Sequence, residues 1–119
     1  MNPSQAIEAV CRGWQDRDVD AVASLFCSDG LYVDPLAPRD LQGPDDIRAV
    51  LGPNIGGLSS CKIDLGPVIA DGNVGFVEGK FLSEGGEGPL DFPFAMLVEM
   101  RDGKIARLAE YFDTRPLVG

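Results

Sequence analysis

The sequence predicts one α+β domain, and three observations carry that reading. Its 119 residues make one domain, not two. Apolar residues recur at helical spacing through the first half, and four turn-punctuated runs of strand character fill the second. Helices followed by hairpin-linked strands is the order of α+β architecture.

The elements follow in order. Ile7, Val10, Cys11 and Trp14 share one helix face. Asp18 reads as the N-cap of a short second helix carrying Val19, Val22, Leu25 and Phe26. Cys11 and Cys27 read as small core residues on these helices. Leu31-Tyr32-Val33-Asp34 is a strand snippet between Gly30 and Pro35. Gly43-Pro44-Asp45-Asp46 opens a third helix, since proline suits the first helical position and carboxylates meet the positive dipole end. That helix carries Ile47, Val50 and Leu51 and is expected to stop at Gly52-Pro53. Gly52 to Gly57 reads either as a mobile rim or as plain loop.

Strands are expected from Cys61 to Ala70, Val74 to Leu82, Asp91 to Met100 and Lys104 to Asp113. Asp71-Gly72 and Asp102-Gly103 are hairpin signals, and Glu84-Gly85-Gly86-Glu87-Gly88 is a loop. Pro67 and Pro93 mark edges or bends. In Phe92 to Met100 both faces are apolar, with Phe94, Met96 and Val98 alternating against Ala95 and Leu97. Helices cover one such face. Self-association through the sheet covers the other, so a homodimer is expected.

Composition narrows the chemistry. Histidine is absent, which excludes imidazole bases, Ser-His and Cys-His nucleophile systems and His-based metal sites. Three cysteines, far apart and without a C-x-x-C, argue against a disulfide framework or a Cys-rich zinc site and fit a reducing, cytoplasmic setting. Ten basic residues, none adjacent, stand against nineteen acidic ones for a net charge of −9. No basic patch offers itself to nucleic acid or to an anionic membrane, and neither is expected as a partner. No leader-like N-terminus or membrane-length apolar run is visible. The chemistry expected of such a chain rests on carboxylates, Lys, Arg, Tyr or Cys.

The order of these elements is familiar. Trp14, the Asp18-Val19-Asp20 turn into a short helix, Leu25-Phe26, Tyr32-Val33-Asp34-Pro35, Gly43-Pro44 with Ile47-Arg48, Asp102-Gly103-Lys104-Ile105 and Tyr111-Phe112-Asp113 stand in sequence. Together they resemble the nuclear transport factor 2-like superfamily, which includes SnoaL-like polyketide cyclases, ketosteroid isomerases and limonene epoxide hydrolases. The resemblance covers roughly residues 5 to 115 within a single domain, 1–119. It implies a cone-shaped, curved, mixed but mainly antiparallel sheet wrapped around three N-terminal helices, with a deep apolar pocket and dimerisation through the sheet's outer face. It implies neither metal nor organic cofactor.

Three side chains are candidate catalytic residues. Asp34 reads locally as a turn-initiating Asp-Pro. In the isomerases the matching Asp is the general base, and in the epoxide hydrolases an Asn there holds the attacking water. Tyr32, two residues earlier, shares Asp34's strand face, as an oxyanion or water donor or as an ordinary strand aromatic. Glu110 shares a face with Leu108 and Phe112, and burial there would raise its pKa into the range of a general acid. It falls where the cyclases and epoxide hydrolases carry a functional Asp, with one methylene more.

Glu78 and Lys80 share the other candidate face with Phe76 and Leu82. Alternation alone favours solvent for them, whereas the epoxide-hydrolase register puts them in the pocket, with Lys80 pairing Glu110 or Asp34. Val10 and Met96 match the two isomerase oxyanion donors, so the ketosteroid-isomerase route lacks its electrostatic support here. With Trp14 and Phe112 they are expected to line the pocket. Asp113 reads as a strand terminator bonding nearby amides. The expected activity is cofactor-independent acid–base catalysis on a small hydrophobic substrate, as an epoxide or ring-opening hydrolase or a cyclase. A proton-transfer isomerase and a non-catalytic domain for hydrophobic ligands are the alternatives.

Overall fold

The computed structural model describes residues 1–86, 88–115 and 117. Among them the chain forms α1 (Pro3–Gln15), α2 (Val19–Ala23), β1 (Phe26–Val33), β2 (Leu41–Gln42), α3 (Gly43–Gly56), β3 (Leu58–Leu65), β4 (Ile69–Asp71), β5 (Val74–Gly85), β6 (Leu90–Arg101) and β7 (Lys104–Tyr111). This is the expected α+β architecture. Glu87, in the loop anticipated before β6, lies outside the described residues.

Each helix starts where its capping chemistry says. Asn2 and Gln5 close a reciprocal capping box ahead of Pro3. Asp18 accepts from the Ala21 amide at the head of α2. Gly43 takes φ +83° with Pro44 behind it, a conformation that only glycine adopts without strain, and turns the chain from β2 into α3.

Two helix ends differ from the sequence reading. α2 stops at Ala23, and Phe26 and Cys27 belong to β1, because the Leu25 carbonyl accepts from Ile105 on β7 rather than from a further helical turn. α3 runs through Gly52-Pro53 to Gly56. Gly52 has no Cβ to meet the proline ring, and Ile55, fully buried, anchors the last turn in the core.

The sheet order is β2-β1-β7-β6-β5-β3, with β4 also on β5. β1 and β7 run parallel; the other pairs are antiparallel. The run expected from Cys61 to Ala70 is broken at Gly66-Pro67, so β3 covers the far half of β5 (Gly79 to Gly85) and β4 the near half (Val74 to Phe76). Pro93 sits on β6 beyond the end of β7, whose last pair is Tyr111 with Ala95, so β6 has only β5 beside it there. Asp102 and Gly103 both take positive φ between β6 and β7, as a two-residue type I′ turn requires. At the other hairpin the turn residues are Gly72 and Asn73, one position later than Asp71-Gly72 suggests.

Period-two alternation assigns the two faces. Val77 on β5, Met96 and Val98 on β6, Leu108 on β7 and Tyr32 on β1 are buried against Ile7, Val10, Val22, Ile47 and Leu51 of the helices. On the reverse face one apolar row crosses five strands by direct register: Ile69, Phe76, Leu97, Ala109 and Val33.

Candidate active site

The helices cover only part of the sheet's inner face. The remainder is a cavity of about 1080 Å³. Its lining includes Trp14 from α1, Asp34 after β1, Pro53 and Asn54 from the last turn of α3, Phe81 from β5, Met96 from β6, Glu110 from β7 and Phe112. The Gly52–Gly57 segment is therefore rim, but built on helix.

Four of the lining side chains form a continuous aromatic wall. Trp14 meets Phe81 edge-on at 5.8 Å between centroids, Phe81 stacks on Phe92 at 5.1 Å, and Phe92 packs against Phe112 at 4.9 Å. Phe81, Phe92 and Phe94 were not singled out from sequence. Two of the signals were there to read, since Phe81 follows Val77 and Gly79 on one strand face, and Phe94 precedes Met96 and Val98.

The wall adjoins the polar group of the site through Trp14. β1 and β7 pair as Tyr32 with Leu108 and Val33 with Ala109. One step further along this parallel register sets Asp34 beside Glu110. Tyr32 is fully buried, and its hydroxyl donates to Glu110 Oε1 while accepting from the indole N–H of Trp14 at 3.2 Å. Because the Tyr32 proton is committed to Oε1, a protonated Glu110 carries its own proton on Oε2, free of that bond.

Electrostatics favour that protonated form. Burial, then the nearby Asp34 carboxylate, push Glu110 up to about 8, against a smaller lowering by the Tyr32 hydrogen bond. Asp34 is also raised by burial, opposed by the Leu36 amide, which donates to Oδ1 at 2.8 Å. Burial and then Glu110 raise Tyr32 well above its usual range. Asp34 opens the Asp34–Ala37 turn, as an Asp-Pro reads, and also lines the cavity.

Three placements correct the sequence expectations. Glu78 and Lys80 project from the outer face, since Val77, Gly79 and Phe81 take the inner one. Both are exposed, and Lys80 pairs with Asp91 on the neighbouring strand at 3.2 Å, not with Glu110 or Asp34. Among the described residues no Lys or Arg lines the cavity, so its two acidic groups have no cationic partner there. Val10 is packed in the core and does not reach the cavity. Met96 does, as the cross-strand partner of Glu110. Asp113 accepts from the Arg115 amide at 3.0 Å at the end of the sheet, as expected of a terminator.

A family model described as a SnoaL-like domain matches residues 7–108. Among solved structures, TerC co-crystallised with polyporic acid superposes with a TM-score of 0.81 at 24% identity, covering 98% of this chain and 95% of that one. An LEH-like epoxide hydrolase of M. tuberculosis gives 0.77 at 23%, covering 92% and 81%. SalBIII, an epoxide hydrolase/cyclase-like enzyme of pyran ring formation in the polyether salinomycin, gives 0.79 at 17%, covering 93% and 90%. At these identities the likeness is one of fold. No curated protein matches the chain.

Proposed function

Because the chain belongs to the SnoaL-like domain family, we propose that it is a cofactor-independent enzyme opening the epoxide of a small, largely apolar substrate. The attacking oxygen is that of water or of an internal hydroxyl, the latter closing a ring. The observation that carries this reading is the chain Trp14–Tyr32–Glu110 at the inner end of an aromatic cavity, with Asp34 beside it.

The chemistry divides between the two carboxyl groups. Glu110 gives the Oε2 proton to the epoxide oxygen as its C–O bond breaks. Asp34 takes the proton from the attacking hydroxyl as the new C–O bond forms. Afterwards Glu110 is the carboxylate and Asp34 the acid, and one proton passed between them through water restores the start. The Tyr32 donor stabilises the charge left on Glu110, which lowers the barrier to giving the proton up. The cavity's apolar wall excludes bulk water, so the two groups act where charge is weakly screened. An isomerase reading draws less support, since Met96 and buried Val10 stand where that route needs donors.

The test is turnover of a panel of aryl and alkyl epoxides and epoxy-alcohols by the wild type, Glu110→Gln and Asp34→Asn. Turnover falls by roughly 10²–10⁴-fold in each variant, the usual weight of a positioned acid or base. Ligand affinity, read from the fluorescence of Trp14, the single tryptophan, changes by a few-fold only. Epoxides that bind without turnover in the wild type would leave a binding domain in place of an enzyme. We further propose that the row of Ile69, Phe76, Leu97, Ala109 and Val33 is the face on which two copies pack.

A further inference from the structure

Two features of the cavity point the same way. Among the described residues its lining holds two acidic side chains, Asp34 and Glu110, and no basic one. Beside them runs the ladder of rings Trp14, Phe81, Phe92 and Phe112, joined to Glu110 through the Trp14–Tyr32 hydrogen bond. Ring faces carry a negative quadrupole, which attracts organic cations and repels anions. Walls of low dielectric focus the field of the half-buried carboxylates into the cavity, and the chain's net charge of −9 adds to it.

We infer that the cavity selects substrates bearing an organic ammonium group, held by the Asp34–Glu110 pair and the aromatic ladder that adjoins it. This rests on the epoxide-opening reading above and names a substrate class for it. It also excludes a class. A carboxylate or phosphate in the same place would meet two acidic groups and, among the described residues, no cation, so carboxylate and phosphate handles are kept outside the cavity.

The titratable groups facing Glu110 are Tyr32 and Asp34 from the β1 side and Cys11 from α1; Met96 on β6 brings none. Cys11 is pushed up to about 12, mainly by burial, and Tyr32 is raised as well, so neither adds charge near neutrality. The negative charge available to a cation therefore depends on Asp34 and Glu110. It grows as pH rises through the Glu110 value of about 8. An ammonium ion also favours the carboxylate forms, so its uptake releases protons. Turnover draws on the complexes in which Glu110 keeps its proton, so affinity for the cation rises with pH while turnover falls.

The experiment uses three probes of similar shape on the whole protein, followed by Trp14 fluorescence and calorimetry. Benzyltrimethylammonium is the cation, neopentylbenzene its neutral isostere, and 3-phenylpropanoate the anion. The cation binds about tenfold tighter than the isostere at pH 8.5, as a desolvated cation–π site would give. That ratio shrinks at pH 6, the anion does not bind, and the calorimetric heat varies with buffer ionisation enthalpy. Glu110→Gln removes the pH dependence of the ratio. Glu78→Gln, which deletes the same charge on the outer face, leaves it unchanged. Equal binding of cation and isostere at both pH values overturns the ammonium preference and leaves the epoxide reading standing. A cation preference in Glu110→Gln as large as that of the wild type at pH 8.5 overturns the role of Glu110 in holding the ammonium group and leaves its role as acid to the epoxide turnover test. Silence of Trp14 towards all three probes overturns the inference together with the cavity as a binding site.

Discussion

The Tyr32 hydroxyl donates to Glu110 Oε1 across the parallel β1–β7 pair. Tyr32 pairs with Leu108, so Glu110 is its diagonal neighbour two residues further along β7. The indole N–H of Trp14 holds the phenol from behind. Removing the hydroxyl in Tyr32→Phe withdraws the one contact that lowers the Glu110 pKa, which then rises beyond about 8. An activity that needs protonated Glu110 has an alkaline limb at that pKa. In Tyr32→Phe the limb moves to higher pH while the plateau of kcat falls by roughly 10-fold to 100-fold, since a donor to the departing charge is lost. A pH–rate profile measures both. A lower plateau with an unmoved limb would detach Tyr32 from Glu110.

The same carboxyl makes folding stability depend on pH. Glu110 has an ordinary value of 4.5 and about 8 in the fold. The folded state therefore holds a proton that the unfolded chain has lost between those values. Its contribution is fully present below about 4.5 and declines as pH rises, until it is gone above about 8. The slope is bounded by about 1.4 kcal/mol per pH unit for one proton. Asp34, also raised, adds in the same direction near the acid end. Thermal melts from pH 5 to pH 8.5 show a falling Tm in the wild type and a flatter course in Glu110→Gln, which stays neutral throughout. Parallel curves for the two proteins would place Glu110 in contact with bulk water.

Lys80→Ala separates the two faces of β5. The Lys80–Asp91 pair lies on the exposed side, where such bridges contribute about 0–1 kcal/mol. Turnover stays within twofold of wild type and Tm moves by a degree or two. A large loss of kcat would return Lys80 to the cavity and reverse the face assignment of β5.

How far the sequence carried this fold depends on the kind of signal. Capping at Asp18, the Gly43-Pro44 helix start and the Asp102-Gly103 turn are local chemistry, and each stands where it was read. Helix ends are decided by what the next residues bond to. Hence Phe26 left α2 for the sheet and Ile55 drew α3 past Pro53. Glu110 was legible because Leu108 and Phe112 frame it at period two, whereas Asp34 read locally as a turn and was placed at the site by the family resemblance. For Glu78 and Lys80, alternation alone favoured solvent, as the structure has them, and it was the family register that put them in the pocket. The signal for their face was weak because both faces of β5 carry large apolar residues, Phe76 and Leu82 on one and Val77 and Phe81 on the other. Only the register against Met96 and Phe94 on β6 decides it.

The outer row of the sheet yields the last prediction. Ile69 is 68% exposed, and it heads a line that continues by register through Phe76, Leu97, Ala109 and Val33. On one side the next row holds Glu99 and Arg107, paired across strands; on the other, Glu78 and Tyr111 flank Ala95. An apolar strip with a charged margin is the layout of a sheet-to-sheet contact, with water excluded from the centre and orientation set at the rim. In a twofold arrangement the same row meets itself, so one substitution acts twice. Light scattering at micromolar concentration gives twice the chain mass of 12.7 kDa, and Leu97→Lys, which sets two like charges at the centre, returns it to 12.7 kDa. Leu97 lies on the face opposite Met96 and Glu110, so that monomer keeps the Trp14 fluorescence response to ligand. A wild-type mass of one chain would leave the strip exposed and the two-copy arrangement wrong.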